Sequence, residues 1–92
     1  MIVYDLLCLA PTDAETRVII HDRYYKTLKI SQIRNPIFIG EYPSYPDLEE
    51  YLEDEICEWF LDKSDTGDPE IHIVLPWSQK EHQAYMHMVS LK

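Results

Sequence analysis

The spacing of hydrophobic residues predicts that residues 46–63 (PDLEEYLEDEICEWFLDK) form an amphipathic helix, the central element of the chain. At 100° per residue, the apolar side chains of this segment share one side, with Tyr51 at its edge. Pro46 suits the first helical turn, and Asp47 and Glu49 suit the helix dipole there. The apolar side consists of Leu48, Leu52, Ile56, Trp59 and Phe60.

The outer side of this predicted helix carries a carboxylate at every fourth position. Like charges at this spacing oppose helix formation by about 0.2–0.5 kcal/mol per pair, and no basic residue interrupts the row before Lys63. Glu49 and Glu53 on its flank raise the charge density toward that of a phosphate strand. We therefore predict that the row binds a basic partner, the alternative being an ordinary solubilising face. The row consists of Glu50, Asp54, Glu58 and Asp62.

Alternation with a period of two predicts β-strands on both sides of the helix. Residues 17–22 (RVIIHD) and 24–30 (YYKTLKI) read as the two strands of a hairpin. Residues 36–42 (PIFIGEY) form a further predicted strand, in which Gly40 marks a bulge or a close backbone approach. Residues 70–75 (EIHIVL) alternate most regularly of all.

Short helices are predicted near the two ends of the sequence. Residues 3–9 (VYDLLCL) favour a helix that ends before Pro11. Ser78 and Glu81 match a capping box, and apolar residues at helical spacing follow it. A strand over residues 84–91 stays open as the alternative, although Ala, Met, Gln and Lys favour a helix there.

Together these elements predict an α+β fold in one domain over residues 1–92. The sheet is small and mostly antiparallel, with the main acidic helix and one or two short helices on one face. A hydrophobic content of 46%, with 7 Tyr, 2 Trp and 2 Phe, supports a folded chain. The opening MIVYDLLCLAPTD is too short and acidic for a signal peptide or membrane span. We therefore expect a cytoplasmic protein of a bacterial host, without membrane partners.

The net charge of −9 is concentrated in the middle of the sequence. Residues 41–70 contain 12 acidic residues and one basic residue. Such a field repels nucleic acid and lipid head groups and attracts basic protein surfaces, so we expect no direct nucleic-acid partner. The basic residues of the predicted hairpin are interpreted as partners of the acidic helix or as an exposed face: Arg17, Arg23, Lys26, Lys29 and Arg34.

Catalytic chemistry finds little support in the sequence. Cys8 and Cys57 are expected to be free and mostly buried thiols, and carboxylates near Cys57 should make it a poor nucleophile. With only two glycines, Gly40 and Gly67, a glycine-rich phosphate cradle is not available. We predict that the protein is not an enzyme and needs no cofactor.

Zinc binding is a further alternative, since the chain contains four His and two Cys. Their spacing matches no standard zinc motif. If the last segment were a strand paired with residues 70–75, His72 and His87 would stand side by side on the outer face. A third ligand would then come from His21, Cys8 or Cys57.

The segments VYDLLCLAP, RVIIHD, IFIGEYPSYPDLEEYL and EIHIVL, within residues 3–75, resemble small acidic proteins of phages and mobile elements of Gram-positive bacteria. Some small acidic phage proteins of this character are anti-CRISPR proteins, which bind the basic surfaces of CRISPR nucleases. No defined anti-CRISPR motif is matched, so no functional position is carried over. In related sequences, residues 54–61 correspond to a strand candidate. In that case Glu55, Cys57 and Phe60 change sides and the acidic row dissolves.

The sequence thus predicts a non-enzymatic inhibitor that binds another protein. Its acidic row would engage Lys and Arg of a nucleic-acid-binding site, as in a CRISPR nuclease, with Tyr51 or Trp59 as an anchor. The alternatives are a structural or assembly protein that forms a homodimer through an exposed strand or aromatic rim, and a zinc-stabilised binding module.

Overall fold

The computed structural model of the chain describes residues 1–9, 15–34 and 36–90, so the predicted helix stop at Pro11 and the apolar Leu91 lie outside the described residues. The elements are α1 (Val3–Leu7), β1 (Thr16–His21), β2 (Thr27–Ile33), β3 (Ile37–Ile39), β4 (Tyr42–Ser44), a 3-10 helix (Pro46–Tyr51), β5 (Glu58–Lys63), β6 (Pro69–Val74) and α2 (Gln79–Ser90).

Four of these strands form a mixed sheet with the order β2-β1-β6-β5. β1 pairs antiparallel with β2, and β5 pairs antiparallel with β6, whereas the central pair of β1 and β6 is parallel. β3 and β4 form a separate antiparallel ribbon. The described residues therefore confirm the α+β class and a mostly antiparallel sheet.

The hydrophobic core lies on one face of the four-stranded sheet, beneath α1 and the 3-10 helix. Val18 and Ile20 of β1 and Ile71 and Ile73 of β6 alternate with residues that point away from the core, as the period of two requires. From the covering elements and the connections, the core receives Val3, Leu6, Leu7, Tyr45, Leu48, Tyr51 and Leu75.

The predicted acidic helix over residues 46–63 is wrong. Only its first turns are helical, as the 3-10 helix, and residues 58–63 are extended as β5. The backbone N–H groups of Val3 and Tyr4 bond to the carbonyls of Asp54 (2.9 Å) and Leu52 (3.0 Å). An α-helix would need those carbonyls for its own i to i+4 bonds, and the like charges at every fourth position oppose it further.

Beyond residue 54, other parts of the chain continue to provide the hydrogen bonds. Ile2 bridges Glu55, the N–H of Ile56 donates to the carbonyl of Met1, and the N–H of Cys57 donates to the carbonyl of Val74 of β6. These long-range bonds hold the segment extended, so the strand alternative raised for residues 54–61 is correct for its second half.

The predictions for the two terminal helices are confirmed over the described residues. α1 occupies residues 3–7. Ser78 and Glu81 form the predicted capping box, in which the Ser78 hydroxyl accepts the N–H of Glu81 at 3.1 Å and the Glu81 carboxylate accepts the N–H of Ser78 at 3.4 Å. The last segment is therefore helical over residues 79–90, and its strand alternative is wrong.

Two finer predictions are corrected. The predicted strand over residues 36–42 folds back on itself as β3 and β4, because Gly40 adopts φ +65° in the turn between them. Cys8, expected in the core, is exposed, as is Cys57, although both thiols are free as predicted.

In the described part of the chain, no helix combines the length and the apolar character that crossing a membrane would require.

Candidate functional site

β5 lies at the edge of the sheet, with β6 as its only strand neighbour among the described residues. All six residues of β5 are exposed, although Trp59, Phe60 and Leu61 are large and apolar, and Leu61 is 68% exposed. Natural sheets commonly protect such an edge with charges, proline, a bulge or a covering loop. An edge strand with three exposed apolar residues is typical of a site that pairs with another chain.

The hydrogen-bond pattern identifies the backbone groups that this edge offers. Leu75 donates its N–H to His21 of β1, whereas the carbonyl of Val74 accepts from Cys57 beside β5. The N–H and C=O groups of successive residues point to opposite edges of a strand. The even-numbered residues of β6 therefore direct these groups toward β5, and the even-numbered residues of β5 bond to them. Trp59, Leu61 and Lys63 are turned the other way, toward the open edge. The N–H of Lys63 is already bonded there to Asp62 Oδ1 at 2.8 Å, so the open N–H groups are those of Trp59 and Leu61.

The face of the sheet opposite to the core carries a polar cluster built by β1, β6 and β5. The strand register sets Arg17 opposite Glu70, Asp62 opposite Glu70 and Phe60 opposite His72. Directly opposite residues share a face, so these side chains meet beside the open edge.

Two histidines at the centre of this cluster are hydrogen-bonded to each other. The distance between His21 Nε2 and His72 Nδ1 is 2.9 Å, and the ring of Phe60 stacks on His72 with 4.6 Å between centroids. Burial lowers the pKa of His21, and the nearby His72 lowers it further. The hydrogen bond between the two rings and the stacking of Phe60 on His72 hold the histidines in a fixed orientation.

The carboxylates of Glu70 and Asp62 lie on the other side of His72. Glu70 Oε1 is 3.4 Å from His72 Nε2, and Glu70 Oε2 is 3.3 Å from Arg17 Nη1. Asp62, Glu70 and His72 each place one potential ligand atom within 4.8 Å of those of the other two. This group is called the Asp62–Glu70–His72 cluster below, and among the described residues it brings together three side chains that could hold a metal ion.

The acidic row does not exist as a continuous surface. Glu50 lies in the 3-10 helix and pairs with Lys29 at 2.8 Å. Asp54 is buried, and Glu58 and Asp62 belong to β5. The flanking residues Glu49 and Glu53 remain exposed.

Tyr51 does not offer the predicted surface anchor, because it is buried in the core. Its ring stacks on His82 of α2 at 4.9 Å, and the ammonium group of Lys29 lies 5.9 Å from the ring centroid. Asp54 faces the same histidine, with 3.3 Å between Asp54 Oδ2 and His82 Nδ1. Burial raises the pKa of Asp54, although His82 opposes this shift. These residues hold α2 on the rest of the fold.

The two histidines predicted as metal ligands lie on different elements. His72 is on β6, whereas His87 is an exposed residue of α2, and the strand pairing that would set them side by side is not formed. Lys29 pairs with Glu50 of the segment predicted as the acidic helix, as interpreted from the sequence, whereas Arg17 pairs with Glu70 of β6, outside that segment.

Part of the cluster is visible in the sequence. Alternation in residues 70–75 already placed Glu70 and His72 on one side of a strand. The missing information was the parallel pairing of β1 with β6, which joins residues distant in the sequence, and the strand conformation of Asp62, which lies in a segment predicted to be helical.

No protein-family model, curated protein or solved structure matches the chain. The resemblance to phage and anti-CRISPR proteins therefore stays a prediction, and the functional argument depends on the geometry of β5 and its surroundings.

Proposed function

We propose that the protein is a non-enzymatic binding protein, and that it binds an extended segment of another protein by adding it as a strand to β5. The observation that supports this proposal is that all six residues of β5 are exposed at the sheet edge, the large apolar Trp59, Phe60 and Leu61 among them. In strand addition, main-chain hydrogen bonds provide affinity, and side-chain contacts on alternate positions provide specificity.

The charges around β5 favour a basic segment as the partner. Glu58 and Asp62 lie on the strand itself, and Asp65 and Asp68 lie in the turn that follows it. The whole chain carries a net charge of −9. Lys and Arg side chains of a partner strand would meet these carboxylates, which favours fast association that weakens as salt is added.

The same charges disfavour a second copy of this chain as the partner. In an antiparallel pair centred on Phe60, Glu58 of each copy would face Asp62 of the other, and like charges directly opposite destabilise a strand pair. Shifting the centre to Leu61 would place the Phe60 ring opposite Asp62. The homodimer therefore remains an outcome for the experiment to exclude.

We further propose that the partner is a nucleic-acid-binding enzyme, because such enzymes expose Lys and Arg in the groove that holds the nucleic acid. A CRISPR nuclease is the example that the sequence resemblance implies. The carboxylates on β5 and in the turn after it would then inhibit the enzyme by occupying that surface, with β5 as the anchoring element in place of a helix.

The proposal can be tested with Leu61→Pro, which removes an N–H that points to the open edge and leaves the bonds between β5 and β6 in place. A control is Ile30→Pro on β2, the opposite edge strand, where Ile30 has a similar exposure of 60%. We expect Leu61→Pro to weaken binding at least tenfold, measured with a synthetic peptide that alternates lysine and valine. Both variants must keep the circular dichroism spectrum of the parent protein.

Nuclear magnetic resonance locates the contact. The lysine–valine peptide should shift the amide signals of Trp59 and Leu61, and a glutamate–valine peptide should not. Shifts concentrated elsewhere, or a stable dimer of the free protein in sedimentation at two concentrations, would contradict the proposed binding mode. For the enzyme target, the parent protein should slow DNA cleavage by a purified CRISPR nuclease, and Leu61→Pro should restore it.

A further inference from the structure

We propose that the Asp62–Glu70–His72 cluster is a binding site for a zinc-type divalent metal ion. Three side chains with one potential ligand atom each converge within 4.8 Å on the face of the sheet opposite to the core. They come from two adjacent strands, Asp62 from β5 and the other two from β6, so a bound ion would join the edge strand to the sheet.

The strongest sign of a ligand is an unused nitrogen of His72. Its Nδ1 is 2.9 Å from His21 Nε2, whereas its Nε2 is buried and has no hydrogen-bond partner among the described residues. Metal-binding histidines use one ring nitrogen for the ion, while the other is fixed by a hydrogen bond. In the tautomer in which His72 Nδ1 donates to His21 Nε2, His72 Nε2 carries a lone pair that is free for an ion, and Glu70 Oε1 lies 3.4 Å from this nitrogen.

The two carboxylates provide an independent sign. Asp62 and Glu70 lie directly opposite each other on one face of the β5–β6 pair, an arrangement of like charges that destabilises a sheet. Glu70 is 8% exposed, and one of its oxygens is already shared with Arg17. A cation between Glu70 Oε1 and Asp62 would convert this repulsion into attraction.

The donor set selects the class of metal. An imidazole nitrogen with two carboxylate oxygens suits zinc and related transition-metal ions, whereas magnesium and calcium prefer oxygen ligands alone. Zinc ligands lie about 2.0–2.2 Å from the ion, so the three donors must approach one another slightly. Asp62 can make this adjustment because it is exposed on the edge strand. With three protein ligands, the fourth position of the ion is left for water.

This site differs from the strand-addition surface proposed above. The metal would use the side chains of Asp62, Glu70 and His72, whereas a partner strand would bond to the outward backbone groups of Trp59 and Leu61. Asp62 is the one residue that both proposals use, in the second as one of several carboxylates near the partner. Failure of either proposal therefore leaves the other standing.

The experiment is a titration of the metal-free protein with zinc chloride at pH 7.5, monitored by calorimetry. Thermal unfolding with and without zinc is measured as well. Both cysteines are exposed thiols that could bind zinc by themselves, so every protein carries Cys8→Ser and Cys57→Ser. We expect one zinc ion per chain and a raised melting temperature that a chelator reverses.

Two pairs of variants assign the ligands. His72→Gln should lower the zinc affinity at least tenfold, whereas His87→Gln on α2 should leave it unchanged. Asp62→Asn should weaken binding, whereas Asp65→Asn in the adjacent turn should not. Because Asp62 is exposed, its variant is expected to fold even if His72→Gln does not.

Specific outcomes would overturn the proposal. Zinc binding of equal affinity in Asp62→Asn and the parent, or no measurable binding to a folded parent, would show that the cluster holds no metal. Calcium binding as tight as zinc binding would contradict the assigned metal class.

Discussion

Asp22 shows how one side chain can connect two elements of this fold. It follows β1 and is 1% exposed. Its Oδ1 accepts the backbone N–H groups of Tyr24 (2.8 Å) and Lys26 (2.9 Å), and its Oδ2 accepts that of Gln79 (3.3 Å), the first residue of α2. The carboxylate thus fixes the β1–β2 turn and the start of α2 together.

We predict that Asp22→Ala lowers the free energy of unfolding by about 1–3 kcal/mol, because buried N–H donors would lose their acceptor. Asp22→Asn retains one acceptor oxygen and should lose less. Urea unfolding at pH 7 measures both changes. A loss for Asp22→Ala no larger than that for Ser64→Ala, a partly exposed turn residue, would contradict this role.

The ionisation of Asp22 should make the free energy of unfolding depend on pH. Burial by itself raises the pKa of Asp22, but the N–H groups of Lys26, Tyr24 and Gln79 outweigh burial and hold the pKa below its ordinary value of 3.8. The stability contributed by this carboxylate is therefore present above pH 3.8 and is lost as the pH falls through the folded-state pKa.

The advantage of the parent protein over Asp22→Asn should consequently shrink as the pH falls below about 3.8. Urea unfolding of both proteins between pH 6 and pH 2 tests this expectation. A constant difference between the two across that range would show that the depressed pKa does not contribute to stability.

At the scale of elements, β5 has two unlike faces that can be compared by mutation. Phe60 stacks on His72, whereas Leu61 points to the other face and is 68% exposed. We predict that Phe60→Ala lowers the free energy of unfolding by about 0.5–1.5 kcal/mol through the lost ring contact. Leu61→Ala should lower it less, because its side chain buries little area.

Chemical unfolding of the two alanine variants measures this difference. If Leu61→Ala were the more destabilising of the two, the sides assigned to the residues of β5 would be reversed. That result would also remove the basis for placing Asp62 beside Glu70, since Asp62 and Phe60 share a face.

Elements determined by nearby residues could be predicted from the sequence. The capping box of α2 needs only Ser78 and Glu81, and the alternation in β1 and β6 is visible within six residues each. Residues 58–63 are different, because their apolar side chains fit the spacing of a helix as well as that of an edge strand exposed on both faces. Bonds from the N-terminal segment and from β6 decide between them, and no local pattern reveals those bonds.

The candidate site was predictable to the same extent. His72 was identified as a possible metal ligand, and His21 as a possible third residue near it. The hydrogen bond between His21 and His72 depends on the parallel pairing of β1 with β6, which are 51 residues apart at this contact. Asp62 joins the cluster only because residues 58–63 form a strand, which the helical spacing does not predict.

For the whole molecule, the buried side chain of His82 is a contact through which α2 packs on the rest of the fold, in addition to the bond between Gln79 and Asp22. His82 is 5% exposed and contacts Tyr51 and Asp54, whereas Gln83 and Tyr85 on the same helix are exposed. An isolated helix shorter than about 12–15 residues is marginal in water. α2 has 12 residues, so its helical state should depend on this contact and on its cap.

We therefore predict that His82→Ala loosens α2 while the sheet stays folded. Hydrogen exchange of the backbone amides of residues 83–88 should accelerate at least tenfold, and exchange in β1 and β6 should change much less, because the core strands do not depend on His82 for their pairing. Gln83→Ala, which truncates an exposed neighbour, should leave both rates nearly unchanged. Equal acceleration in α2 and in the sheet would mean that His82 supports the whole fold, and that α2 unfolds only together with it.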